Sequence, residues 1–235
     1  MKNILTQSNY WSYHSKYTFD NFIAEESNIE AKQIALDFAK NKTKFKTLVI
    51  SSSLGNGATH LACAIMNEVK LKQKKNNIFF VSFESLVCHI KDFGELPKEF
   101  LNEHYLITID SYYNWNNQLS NYLISRLKDV KSKMIITCSE FTDVPVENVR
   151  INLSLPNISD RLLIIENLLN REKFDLSKDV IDYITKSKGF NSIRALEGFF
   201  IMLCVRAKLE GQTINLSYTK KIMKILEKND REKNP

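Results

Sequence analysis

Residues 46–63, KTLVISSSLGNGATHLAC, constrain this chain more than any other stretch. Leu48, Val49 and Ile50 form the short apolar run that a buried parallel strand needs. Ser51, Ser52, Ser53, Gly55, Asn56 and Gly57 interrupt it, and from Thr59 a helical period runs through Leu61, Ile65 and Val69. Strand, glycine-containing turn and helix is the layout in which backbone N–H groups and a helix N-terminus face an anion. The working phosphate-loop pattern is G-x-x-x-x-G-K-[ST]. In that register the first glycine is Ser52 and the lysine is Ala58, while Gly57 and the metal-binding hydroxyl, Thr59, are kept. A hydrogen bond to a charged group is worth about 1.5–3 kcal/mol, so the missing lysine predicts nucleotide binding weakened roughly ten- to a hundred-fold. An ordinary Gly/Ser turn accounts for the same residues equally well at this point.

The flanking chain decides what surrounds that unit. Asn28 stands where it can cap a helix through Ala31, Ile34, Ala35 and Phe38. Apolar runs at 78–83, 105–109 (ending on Asp110), 134–137 and 149–155 read as further strands. Helical periods lie between them, at 84–92 and 118–127. Alternating strands and helices predict a parallel sheet covered on both faces, with ligands beyond the strands' carboxyl ends. Residues 55–59, Asp110 and 137–139 all fall at those ends and are expected to converge. After Pro156 the pattern is helical throughout, with starts at Ser159, Ser177, Asn191–Ser192 and Ser217, and a glycine stop at Gly211. The expected organisation is an arm (1–16), an α/β core (17–155), a small all-helical domain (156–228) and a tail (229–235).

Composition excludes several classes. No apolar run approaches the ~20 residues of a membrane span. The first residues carry no apolar signal core, so a cytoplasmic protein with no membrane partner is expected. Cys63, Cys88, Cys138 and Cys204 show no metal or redox spacing and read as buried free thiols. The four histidines form no cluster, which makes a zinc site unexpected. The net charge of +6 permits non-specific nucleic-acid contact, although lysines such as Lys70, Lys72, Lys74 and Lys75 read first as a solvated face.

Together these segments resemble the DnaA/Hda branch of the AAA+ proteins over residues 17–223. Residues 17–22, YTFDNF, resemble the opening segment that borders adenine, and 54–61 resemble the Walker A loop with its Thr59-His60-Leu61. Residues 106–110 resemble the Walker B strand, and 135–139 the sensor 1 strand. Residues 190–198, FNSIRALEG, resemble the lid-helix segment carrying the sensor 2 arginine, here Arg194. The resemblance implies an α/β AAA+ P-loop sheet with a small all-α C-terminal lid. It implies a site of Phe19, Phe22, Gly55, Asn56, Gly57, Ala58, Thr59, His60, Asp110 and Arg194 holding ADP or ATP weakly. Thr59 and Asp110 would meet Mg²⁺ only when nucleotide is bound. Arg194 also has a physical argument: a cation in a helix's first turn opposes the dipole by about 0.3–1 kcal/mol, which a phosphate would offset. Pairing with Asp160 or Glu197 is the alternative.

Departures from the resemblance point away from hydrolysis. Ala58 replaces the lysine, and Ser111 stands where the initiator has a second acid after Asp110. Arg150 alone remains between the sensor 1 strand and the lid, so an arginine finger does not carry over. The resemblance therefore implies a non-hydrolysing, Hda-like regulator of replication initiation, with DnaA and the DNA polymerase sliding clamp as partners. In the arm, Gln7, Tyr10 and Trp11 would be the clamp-binding residues, or else rings that pin the arm to its own domain. The alternatives are a helicase-loader-type ATPase and a binding module with a vestigial nucleotide site.

Overall fold

The computed structural model describes residues 14–72, 74, 77–94, 101–113 and 118–233. They divide into two units. One comprises the described residues up to Phe22 together with Asn28–Ser154. The other comprises Ile23–Ser27 and the described residues from Leu155 onward.

The first unit is an α/β sandwich. In chain order it contains α1 (Ile29–Ala39), β1 (Thr47–Ser52), α2 (Ala58–Lys72), β2 (Ile78–Ser82), α3 (Phe83–Phe93), β3 (Leu106–Tyr112), α4 (Gln118–Lys128), β4 (Lys133–Cys138) and β5 (Val149–Leu153). The five strands are all parallel, in the order β2-β3-β4-β1-β5. β1 lies inside the sheet and is buried at every residue, which is why Leu48, Val49 and Ile50 form an unbroken apolar run within it. One face packs Val49, Val81, Ile107 and Ile136 against Phe83 and Leu86 of α3 and Leu123 of α4.

Three local readings change in this unit. The second strand stops at Ser82, whose Oγ accepts from the Ser85 N–H at 3.1 Å and caps α3, so Phe83 begins the helix. Asn28 precedes α1 without capping it: at φ 64° its side chain instead spans to Ser154, accepting from that residue's N–H at 2.8 Å and donating to its carbonyl at 3.0 Å. Cys63, Cys138 and Cys204 are buried as expected, but Cys88 is exposed, one position around α3 from the buried Val87.

The second unit holds α5 (Ile158–Glu172), α6 (Lys178–Lys186), α7 (Ile193–Glu210) and α8 (Leu216–Lys233). Leu168, Val180, Ile184, Phe200, Leu203 and Ile222 form its core. The start of α5 differs from the sequence expectation. The cap is Asn157, whose Oδ1 accepts from the Asp160 N–H at 2.9 Å; Ser159 is already helical. Ser192 caps α7 as expected, and Gly211 ends it in the left-handed conformation. Residues 23–27 join this unit rather than the sheet because Asp160 holds them. Its carboxylate accepts the N–H groups of Glu25, Glu26 and Ser27 and the Ser27 hydroxyl. No described helix is long and apolar enough to cross a membrane.

Candidate nucleotide site

The loop after β1 is braced from within. Ser52 is still strand, paired with Leu153, so the first glycine position of the pattern needs no left-handed backbone here. Gly57 does need it, at φ 98°. A Cβ there would also stand 3.1 Å from the Phe22 ring, so only glycine fits without displacement. Asn56 is buried and donates through Nδ2 to Ser53 Oγ at 2.8 Å. The Leu61 N–H bonds to the Gly57 carbonyl, starting α2 with its free amides at the loop. At Ala58, the first residue of α2, a methyl group replaces the cation of the working pattern. The Ser53 N–H donates to a carboxylate of the chain itself, Glu140 Oε1, at 3.0 Å.

The three expected segments do converge at the carboxyl ends of the strands. Thr59 Oγ1 donates to Asp110 Oδ1 at 2.9 Å, and Thr137 Oγ1 donates to the same oxygen at 2.7 Å. The Ser111 N–H donates to Thr137 Oγ1 at 2.7 Å. The β3–β4 register shifts between Ile109 and Tyr112, and Ser111 sits at φ 59° within that irregularity. A left-handed non-glycine residue typically costs about 1–3 kcal/mol and marks functional sites. Thr59 and Asp110 are hard oxygen donors on one side of the loop and fit a single Mg²⁺ that keeps water and phosphate as its other ligands. Ser111, where the resemblance implies a second acid able to take a proton from water, instead carries a hydroxyl 3.3 Å from Asp110 Oδ2.

Residues 17–22 pack on the start of α2. Phe19 and Phe22 are both buried. The His60 ring stacks on Tyr17 with centroids 4.4 Å apart and meets Phe22 edge-on at 5.3 Å. His60 Nε2 lies 2.9 Å from Asn21 Oδ1 and 3.3 Å from the Thr18 carbonyl. Both partners accept, so the proton is assigned to Nε2. Burial pushes the imidazole down to about 4, with Lys32 and Lys16 adding to burial and the Thr18 bond opposing it. His60 is therefore neutral at pH 7 and clamps residues 17–22 to α2; it brings no charge to a phosphate.

Arg194 lies in the second unit, exposed, in the first turn of α7. Its alternative pairing with Asp160 does not occur, since that carboxylate is wholly buried against residues 25–27. Arg150 is turned onto its own edge, donating to the Thr142 carbonyl at 2.7 Å. Gln7, Tyr10 and Trp11 lie outside the described residues. Sequence reasoning grouped Thr137 with the site without assigning it a bond, although a threonine at the carboxyl end of a strand was a usable signal. Glu140 was missed altogether, because nothing in the sequence places residue 140 over residue 53.

Comparison with known proteins agrees with this layout. The profile of the Bacterial DnaA ATPase domain matches residues 13–105. The chromosomal replication initiator protein DnaA of Geobacter metallireducens is 24% identical over 233 residues, covering 90% of this chain and 52% of that protein. The chain thus spans about half the length of the curated relatives it matches. Domain III of the Thermotoga maritima replication initiation protein DnaA superposes with a TM-score of 0.76 at 23% identity, covering 91% of this chain and 98% of that one. A replication initiator DnaA bound to AMPPCP and single-stranded DNA superposes with a TM-score of 0.67 at 22% identity, covering 94% of this chain and 70% of that one.

Proposed function

We propose that this chain, a DnaA-like protein with the AAA+ fold, is a regulator of replication initiation of the Hda kind that does not itself hydrolyse ATP. One observation carries the reading. Asp110 keeps the position and hydroxyl partners of a metal-binding acid, yet it is followed by Ser111 and faces a loop with Ala58 in place of lysine. Such a site can hold a nucleotide through backbone amides and Thr59, but lacks the charge that steadies a transferring phosphoryl group. That a solved DnaA carries AMPPCP and single-stranded DNA supports nucleotide and DNA as ligand classes here. On this reading ADP or ATP binds weakly, Mg²⁺ follows only with nucleotide, and DnaA and the sliding clamp are the partners. Glu140 on the Ser53 amide favours a second reading, a binding module whose loop stays empty. Filter binding separates the two: retained ADP supports the regulator, and no retention of ADP or ATP leaves the module.

The arm gives the partner test. If Gln7, Tyr10 and Trp11 engage the clamp, Tyr10→Ala with Trp11→Ala abolishes clamp capture in a pull-down and leaves the melting temperature unchanged. Burying one such ring is worth about 1.5–3 kcal/mol, enough to decide a short peptide's binding. A lowered melting temperature with clamp capture intact assigns the rings to the protein's own fold and contradicts this partner.

A further inference from the structure

We propose that the amino edge of the sheet, at the opposite end of the strands from the phosphate loop, is a binding surface for the phosphate backbone of nucleic acid. β1 spans Thr47–Ser52, so the two edges lie about 20 Å apart. Hydrogen bonds gather two lysine-bearing segments at this edge. The Met134 N–H donates to the Lys46 carbonyl at 2.8 Å, and Lys133 Nζ donates to the Phe38 carbonyl at 2.9 Å and to Asn41 Oδ1 at 3.0 Å. Lys40, Lys42, Lys44, Lys46, Lys131 and Lys133 thereby come from two stretches of sequence onto one edge.

The array is held in place. The N–H groups of Lys40, Asn41 and Lys42 close the end of α1 on the carbonyls of Leu36, Phe38 and Asp37. Phe45 stacks on Phe38 with centroids 5.5 Å apart, and Lys133 Nζ sits 4.2 Å over the same ring. Thr43 and Phe45 are half-buried while Lys42, Lys44 and Lys46 are exposed, so successive lysines are presented outward. Lys131 is exposed beside them, its N–H fixed by Asn102 Oδ1 at 2.9 Å. The acids of this edge are Asp37, 3.8 Å from Lys42, with Glu103 and Asp129 in neighbouring turns. Glu147 joins them, two residues before β5, whose start pairs with the start of β1 at this edge; the lysines still outnumber these acids, so the edge carries net positive charge.

Charge of this kind reads phosphates and not base edges, so the contact is sequence-independent and salt-sensitive. The loop's aromatic ring is stacked inward, leaving it no apolar side chain to insert into lipid, which favours nucleic acid over an anionic membrane. The surface depends on neither the phosphate loop nor the arm. It can therefore fail while the proposed function stands, and the reverse.

The experiment is fluorescence anisotropy with the full chain and a mixed-sequence oligonucleotide, single-stranded and duplex, across a salt series. Lys42→Glu/Lys44→Glu/Lys131→Glu is compared with Lys220→Glu/Lys221→Glu/Lys224→Glu on α8, and thermal melts establish that both variants are folded. The proposal expects the edge variant to bind at least about tenfold more weakly, with a salt slope shallower by about 2–3, and the α8 variant to match wild type. Which strand form binds tighter identifies the ligand. Absent wild-type binding, an edge variant equal to wild type, or equal losses in both variants overturn the proposal. So does loss of phosphatidylserine-vesicle sedimentation in the edge variant with DNA binding intact.

Discussion

Ala58→Lys tightens ADP binding by about ten- to a hundred-fold in titration calorimetry, the gain expected when a charge-assisted hydrogen bond is restored to a phosphate. The backbone needed for that gain is already present. Gly57 holds its left-handed turn, and α2 begins directly after it with its amides at the loop. Without ligand the substitution has a cost, because a cation in the first turn opposes the helix dipole by about 0.3–1 kcal/mol. A slightly lower melting temperature of the free protein, more than recovered on adding ADP, is therefore part of the expected result. Glu140→Gln in the same background strengthens binding further, since it removes a negative charge from the Ser53 amide at the loop. Unchanged affinity in both variants would show that the loop does not meet phosphate.

Asp160→Ala destabilises the second unit by about 3 kcal/mol, because three backbone N–H groups lose a charged acceptor and are only partly replaced by water. For a chain of this size that lowers the melting temperature by roughly 6–12 °C. Asp160→Asn costs about half as much, since an amide oxygen still accepts some of these bonds. Asp160 also sets a pH dependence. Burial alone would raise its pKa, but the Ser27 hydroxyl and the N–H groups of Glu25, Glu26 and Ser27 outweigh burial and hold it below the usual 3.8. A carboxylate with a depressed folded pKa contributes stability above its unfolded pKa and loses it as pH falls through the folded one. Acid unfolding below about pH 4 should thus begin with the grip on residues 23–27, and Asp160→Ala should flatten that limb. An acid limb identical to wild type would mean that another carboxylate governs it.

How much of this was legible in sequence depended on the range of the interaction. β1, the loop and α2 follow from local residue types, and so do Ser192 before α7 and Gly211 after it. The convergence of Thr59, Asp110 and Thr137 was legible one step further, because parallel strands place their carboxyl ends together whatever their order. Caps were less secure: Asn157 and Ser159 are both good capping types, and only the approach of the Asp160 N–H to Asn157 Oδ1 decides between them. Asn28 looks like a cap, yet it bonds a residue far along the chain. The seating of residues 23–27 on Asp160 and of Ser53 on Glu140 joins segments distant in sequence, with no periodicity to announce them. In sequence the lysines of 40–46 show only a basic loop; it is the Lys133 bond to Asn41 that ties them to the start of β4.

The central claim is that the loop after β1 binds nucleotide without hydrolysing it, and single-turnover hydrolysis with the protein in excess over labelled ATP tests it most directly. The account predicts no ADP above the protein-free control, for wild type and for Asp110→Ala alike. ADP formation by wild type that Asp110→Ala abolishes would contradict it.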